Sequence, residues 1–341
     1  MTKKIWFLAV VLSLSLVITT NWRGRTSTAS KDSVKNTDES TIVIGYSNWP
    51  GWWPWAIAET EGLFAKHGAN VELRWYDDYT ASLEDLAVGH IDGNCQTLND
   101  TISFATNALS GEVIILVSDR SAGNDKIIVE KGINEIKDLK DKKVALEAGI
   151  VEDFLLTLAL EKEGMARQNV DIIDVETGAA VEAFVAGQVD AVGAFAPFWL
   201  TAFKREGAKE IVSSKDFPGA ISDLLVVTQE LIDERPDKVQ AIVDTWFDVL
   251  DFMATNPEEA ARIMINKAGV SRKEFQLLKA GTEILDLSEN LEAFSEGKNM
   301  KHLAYTAFSI ADFLQNNFKS IEKKPNLNKL LNSSFIEATK L

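Results

Sequence analysis

The apolar positions of this chain follow two spacings. Short runs of Val, Ile and Leu are separated by longer segments whose apolar residues recur every three or four positions. The first kind reads as buried strands, the second as helices packed on them. Strands are expected at residues 42–44, 71–75 and 91–95, with helices at 54–61 and 81–88 between them. After a crossing the same order returns, with strands at 143–146, 170–175 and 189–195 and helices at 153–163 and 179–186. Gly62, Gly89, Gly164 and Gly187 follow these four helices, where a left-handed residue closes a helix without strain. A further apolar strand at 224–227 is expected to return to the first array. Beyond it the spacing predicts helices over 237–254, 257–267 and 301–318. The stripe Val239, Ile242, Val243, Trp246, Leu250 and Met253 reads as core.

The two arrays also share local sequence. Leu86-Ala87-Val88-Gly89-His90-Ile91-Asp92 lines up with Phe184-Val185-Ala186-Gly187-Gln188-Val189-Asp190. The Asp at each strand start is placed at the rim of its sheet. Strands alternating with helices predict an α/β fold with parallel sheets covered on both faces. The chain therefore reads as two lobes of one architecture with a ligand cleft between them and a helical C-terminal extension. The expected division gives residues 41–121 and 219–322 to the first lobe and 122–218 to the second. The polar tail, 323–341, is expected to fray.

Between the first strand and the first helix lies Gly45-Tyr46-Ser47-Asn48-Trp49-Pro50-Gly51-Trp52-Trp53-Pro54-Trp55, which holds four of the chain's 9 Trp. Two prolines and a glycine suit a rigid loop better than a packed helical face. Pro54 fits a first helical turn, where a missing N–H costs nothing. In open α/β sheets ligands bind at that end of the strands. At least two of the four Trp are expected to face a cavity, against the alternative that all are core packing.

The N-terminus reads as a targeting segment. Lys3 and Lys4 precede an apolar run at 5–18, and Ser27-Thr28-Ala29 offers small residues for cleavage before Ser30. Trp22, Arg23 and Arg25 separate the two, so residues 1–29 are either a signal peptide or an uncleaved membrane anchor. No Cys follows the run to carry a lipid. Residues 30–40 are polar and read as a flexible tether.

Composition narrows the function. The 341 residues are 46% hydrophobic and 25% charged, as in a soluble globular protein of two domains. The net charge is −16, and residues 1–29 contain only basic charges, so the rest is more acidic still. Such a surface repels phosphate backbones and anionic headgroups, and no nucleic-acid partner is expected. Cys95 stands alone, so no intrachain disulfide is possible. His67, His90 and His302 are scattered, none with a convincing metal-ligand spacing; neither a metal nor a cofactor is called for.

Several motifs occur in a telling order. Ile44-Gly45-Tyr46 leads to Ala58-Glu59-Thr60-Glu61-Gly62-Leu63-Phe64 and Gly68-Ala69-Asn70-Val71-Glu72-Leu73. Gly89-His90-Ile91-Asp92, Asp138-Leu139-Lys140-Asp141-Lys142-Lys143-Val144-Ala145 and Gly187-Gln188-Val189-Asp190 follow. Over residues 41–320 the chain resembles the solute-binding proteins of nitrate/taurine/aliphatic-sulfonate-type ABC importers, which are related to thiamine-pyrimidine-precursor-binding proteins. The resemblance implies a two-lobed type II periplasmic-binding-protein fold, hinged on two crossing strands. It implies an exported, monomeric protein in the periplasm or tethered outside the membrane, delivering a small molecule to a permease driven by a separate ATPase. It also implies a pocket built from five loops, with Ser47, Asn48, Trp49, Trp52 and Trp53 in the first. Gln96, Thr97 and Asn99 come from the second, Asp119 and Arg120 from the third, Glu152 from the fourth, and Phe195 and Phe198 from the last.

Those loops depart from what an oxyanion would want. They carry Asp100, Asp119, Glu147, Glu152 and Asp153 against one base, Arg120. An acid against a bound anion costs several kcal/mol unless protonated or paired. Trp faces with carboxylates suit an amine, a zwitterion or an electron-poor heterocycle instead. The alternative is that Glu152 and Asp153 favour a helix N-terminus and point to solvent. Two other functions compete with solute capture: a tethered ligand sensor, and an enzyme of the thiamine-pyrimidine kind. The enzyme would need reactive His, Cys or Lys in the cleft, and no His falls in the five loops.

Overall fold

The computed structural model of the chain describes residues 40–340 other than 106, 107, 110, 319–323 and 325. The expected export segment and tether lie outside the described residues, Ser40 excepted. Among the described residues eleven strands form two sheets. They are β1 (Ile42–Tyr46), β2 (Val71–Trp75), β3 (Gly93–Thr97), β4 (Glu112–Ser121), β5 (Lys126–Val129), β6 (Lys143–Leu146), β7 (Asp171–Asp174), β8 (Ala191–Ala194), β9 (Lys209–Ser213), β10 (Ser222–Thr228) and β11 (Thr282–Ile284). The first sheet has the order β11-β4-β10-β3-β1-β2 and the second β7-β6-β8-β5-β9. This is an α/β fold of two lobes, with a helical C-terminal portion packed on the first.

The internal repeat is physical. β2-β1-β3 and β7-β6-β8 are parallel triplets with the same strand order. In each, the Asp that follows the glycine turn folds back onto the first strand. The Asp92 carboxylate accepts from Val43 N at 2.8 Å, and the Asp190 carboxylate from Lys143 N at 2.8 Å. The two backbone N–H groups of the Asp residues donate to Val43 O and Lys143 O. Gly89 and Gly187 make the preceding turns with φ of 78° and 73°, a region that a side chain resists. Asp92 is spent on this turn, so β3 begins at Gly93 and runs to Thr97, two residues beyond the expected strand.

The sheets are not all parallel, as the alternation had predicted. β10 runs antiparallel to both β3 and β4, β11 is antiparallel to β4, and β5 is antiparallel to both β8 and β9. The reason is where the chain crosses. β4 leaves the first lobe at the edge where β1 and β3 end, and β10 re-enters at that edge, with Asp223 opposite Thr97. A strand entering at the end where its neighbours leave must run against them. β5 enters the second lobe in the same way, with Lys126 opposite Ala194.

The Trp-rich loop and the C-terminal helices share one core. Trp55 stacks on Phe64 at 5.8 Å and tilts against Trp246 at 4.8 Å. Such pairs add about 1 kcal/mol each beyond the area they bury. Trp246 lies on the helix Pro236–Thr255, whose Val239, Ile242 and Val243 are also buried, while Leu250 and Met253 pack at the core's margin. The tail does not fray as expected. Helices Leu327–Leu330 and Ser334–Ala338 bury Leu330, Phe335 and Ile336, and Asn332 N donates to Ile114 O beside the bridge between Ile114 and Leu331. Three apolar residues in a polar segment suffice because they meet an apolar surface already formed by β4. Among the described residues no helix is long and apolar enough to cross a membrane.

The repeated turn makes a measurable prediction. Asp92→Ala or Asp190→Ala leaves a strand N–H without its acceptor and should lower the unfolding free energy by about 1–3 kcal/mol in urea denaturation. The Asn variants, which keep an acceptor oxygen, should recover part of that loss.

Candidate ligand-binding site

The loop after β1 is folded by its own backbone and by one buried carboxyl. Trp49 N donates to Ser47 O, Trp52 N to Trp49 O and Trp55 N to Trp52 O, a succession of tight turns that Pro50 and Pro54 do not interrupt. Trp49 Nε1 donates to Asp119 Oδ1 at 2.9 Å, and Ser118 Oγ donates to the other oxygen at 3.0 Å. Gly51 lies directly over Asp119, where a Cβ would come within 1.8 Å of the carboxyl. The site residue expected at Asp119 thus holds the loop down from beneath.

This placement sorts the Trp residues. Trp49 and Trp52 sit 6.3 Å apart between ring centres and line the cleft between the lobes, with Tyr79 5.5 Å from Trp52. Trp53 turns the other way. Its ring stacks on Phe275 at 6.2 Å, and its Nε1 donates to Asn48 Oδ1 at 3.2 Å. Trp53 lines a separate apolar cavity of about 300 Å³ with Met253, Met264 and Phe275. Trp55 belongs to the core.

The cleft has two chambers that share part of their lining. The inner one, about 20 Å³, is lined by Ser47, Asn48, Trp49, Trp52, Tyr79, Thr97 and Asp223 from the first lobe and by Asp125, Val151 and Phe195 from the second, with Ile221 on the return crossing. The outer one, about 540 Å³, is walled by Trp75, Asp77, Asp78, Thr80, Glu147, Glu176, Gly178 and Phe198, and shares Ser47, Asn48, Tyr79 and Phe195 with the inner. Phe195 and Phe198 meet edge to face at 5.1 Å. The lobes touch directly: Thr80 Oγ1 donates to Glu147 Oε1 at 3.1 Å, and Asn99 Nδ2 to Gly149 O at 3.2 Å. This is a closed cleft, with inner space for about one water.

Of the expected contacts, Trp53, Gln96, Asn99, Asp119, Arg120 and Glu152 are not in the lining of either chamber. Gln96 and Arg120 were read as loop residues but lie on β3 and β4, where neighbouring side chains point to opposite faces. Thr97 and Asp119 take the cleft side. Gln96 Nε2 instead donates to Thr101 Oγ1 and Glu112 Oε2, and the Arg120 guanidinium donates to Lys301 O at 2.9 Å. The one base expected in the pocket is therefore outside it. Neither Glu152 nor Asp153 points to solvent, since both are fully buried. Asp153 is held by Arg167 at 2.7 Å and by Gly149 N at 2.9 Å. Glu152 lies against Gly193, where a Cβ would come within 2.8 Å of its own.

Sequence reading missed Tyr79, Asp125 and Asp223. Asp223 opens the apolar strand 224–227, and Asp125 ends the outgoing crossing. An acid where a buried strand meets the cleft edge was the signal available. Tyr79 follows the cap residue Asp78 and was hidden in a helix start; its hydroxyl donates to Asp100 Oδ2 at 2.8 Å and accepts from Thr97 N at 3.0 Å.

The electrostatics follow from burial. Asp100, Asp119, Asp125, Glu152 and Asp223 are each at most 1% exposed. Desolvation pushes the Asp119 carboxyl up to about 7 and Asp125 to about 6. Glu152 is driven well above the usual range by burial and then by the charge of Asp125. Asp223 is driven up by burial and then by Asp119 and Asp125. Asp100 and Asp119 have neutral donors. Asp223 instead pairs with the Asp119 carboxyl and Asp125 with that of Glu152, and Asp125 Oδ2, Asp223 Oδ2 and both oxygens of Glu152 have no donor beyond such a neighbouring acid. The two chambers' lining contains no Lys, Arg or His. Nearby bases are already engaged, Lys126 with Glu210 at 2.5 Å and Arg167 with Asp153. Buried acids without donors are expensive, and a positively charged group in this space would offset that cost.

Comparison with known proteins agrees with the architecture. Residues 35–266 match the NMT1-like family. A Brucella abortus protein named as a candidate binding protein is 28% identical over 239 residues, 68% of this chain and 72% of that one. The taurine-binding periplasmic protein of Escherichia coli is 25% identical over 210 residues, 60% of this chain and 64% of that one. In three dimensions the periplasmic aliphatic sulphonate binding protein SsuA of Escherichia coli superposes with a TM-score of 0.69 at 18% identity, covering 85% of this chain and 91% of that one. The chain belongs to the NMT1-like family, with the two-lobed fold of the periplasmic solute-binding proteins of the nitrate/sulfonate/taurine type.

Proposed function

We propose that this protein is the exported solute-binding component of an ABC importer, and that its ligand is a small organic molecule bearing a positive charge rather than a bare oxyanion. One observation carries the reading of the ligand. Asp125 and Asp223 line the inner chamber together with Trp49, Trp52, Tyr79 and Phe195, in a cleft whose lining holds no base. Nitrate or a sulfonate placed there would meet two acids and no base to offset them. A cation would meet ring faces and carboxylates, both of which attract it. Capture ends in delivery to a membrane permease powered by a separate ATPase chain, a role supported by the family and by the closed cleft between two hinged lobes.

An enzyme reading has less support. His67 pairs with Asp248 at 2.9 Å, His90 with Asp85 at 3.0 Å, and His302 bonds to the Glu292 and Ser295 carbonyls. None of the three lines the cleft. Burial pushes the Cys95 thiol well up, which leaves it a poor nucleophile.

A thermal-shift screen against oxyanions and sulfonates, taurine included, and against amines and heterocycles tests the ligand class. A ligand at 100 times its dissociation constant adds about 2.7 kcal/mol of stability. Stabilisation by amines or cationic heterocycles is expected; stabilisation by anions alone would sink the reading. With a ligand in hand, Trp52→Ala should weaken binding at least about tenfold, or 1.4 kcal/mol, by calorimetry.

The carboxyls also set the pH dependence. Raised acids bind more protons in the folded state than in the unfolded chain, so the stability tied to them falls as pH rises from about 4 to about 7. The ligand-free protein should therefore melt at a lower temperature at pH 8 than at pH 5. Cation affinity should change in the opposite sense, rising over the same interval as Asp125 (about 6) and Asp119 (about 7) ionise.

A further inference from the structure

The two chambers of the cleft differ in what they can hold. The inner one has space for about one water. Asp125 and Asp223, each 1% exposed, both line it. A primary ammonium is close to water in size and carries three N–H donors and no acceptor. Its donors suit a chamber lined by two carboxyls and no base. A quaternary ammonium needs more room than the closed lobes leave, and an aromatic ring more still.

The outer chamber, about 540 Å³, takes the rest of the ligand. Its acids are Asp77, Asp78, Glu147 and Glu176, with no base among the lining residues. Three of them have local duties. Asp78 and Glu176 cap the helices Tyr79–Ala87 and Thr177–Val185, and Asp77 accepts from Trp75 Nε1 at 2.9 Å. Glu147 has no such duty. Its only bond reaches across the lobes to Thr80, and burial pushes its carboxyl up to about 7. A zwitterion with its ammonium in the inner chamber would leave its anionic end in this acid-walled space. Tyr79 and Phe195, shared by both chambers, form an aromatic neck that suits an apolar spacer.

We propose that the ligand is an elongated dication of the diamine or polyamine class, with a primary ammonium against Asp125 and Asp223, an apolar spacer through the neck, and a second positive centre beside Glu147. This rests on the cation reading above and narrows it, because a monoamine or a zwitterion would satisfy that reading and not this one.

The test is calorimetric titration of the full chain with linear diamines of three to six carbons, butylamine and 4-aminobutyrate. The best diamine should bind at least about tenfold tighter than butylamine, and 4-aminobutyrate more weakly than either. Glu147→Gln, at a half-buried position, should keep the melting temperature and cut the diamine-to-butylamine preference to about threefold or less. Butylamine binding as tightly as every diamine, 4-aminobutyrate binding tightest, or a preference untouched by Glu147→Gln would overturn the dication while leaving the cation reading in place. Absence of binding by all of these amines would overturn the dication, and stabilisation by anions alone in the thermal-shift screen would overturn both readings.

Discussion

The hydrogen bond from Trp49 to Asp119 joins the two parts of the molecule that matter most for binding. Trp49 belongs to the loop that walls the cleft, and Asp119 to the strand that carries the chain out of the first lobe. A carboxyl in so dry a place needs donors, and it has two, from Trp49 and Ser118. The loop in turn needs an anchor, because its own turns fix its path but not its distance from the sheet. Gly51 permits the approach, since any Cβ there would collide with Asp119. With Asp119 satisfied in this way, the remaining acids stand out: Asp125, Glu152 and Asp223 share the burial without sharing the donors.

The same edge of both sheets collects everything the site uses. The parallel triplets end there, the outgoing strand leaves there and the returning strand enters there. Acids at these crossings face one another across the closed cleft although they lie about a hundred residues apart in sequence. Their raised proton affinities have one cause, loss of water, compounded by mutual repulsion. An opening of the lobes would rehydrate them, and a bound cation would replace the water they have lost.

Much of the fold was legible in the chain. Val/Ile-rich runs between amphipathic segments marked the strands and helices of both triplets, and the matched Gly-x-x-Asp turns marked the repeat. The antiparallel strands were less visible. β4 is an apolar run like any other, and its direction depends on which edge of the sheet it leaves. The helices Arg272–Ala280 and Leu287–Phe294 were legible too, each opened by a capping box, Ser271 with Glu274 and Asp286 with Glu289, yet were passed over; β11, of three residues, is too short to stand out. In the site, the loop reading served for Ser47 to Trp52, because Pro and Gly advertise a loop, and it failed for Gln96 and Arg120, which lie within strands. There the pleat turns one residue to the cleft and the next to the opposite face, so a register of one residue decides which side chain can touch a ligand.

The sequence by itself determined the strand and helix periods, the glycine turns, the acidic balance and the clustering of Trp beside a strand end, because these are properties of neighbouring residues. Tertiary structure alone decided that Trp49 and Trp52 face the cleft while Trp53 and Trp55 do not, that Arg120 turns to Lys301, and that Asp125, Glu152 and Asp223 meet without donors. Those facts depend on register and on contacts between residues far apart in the chain. No local pattern encodes them.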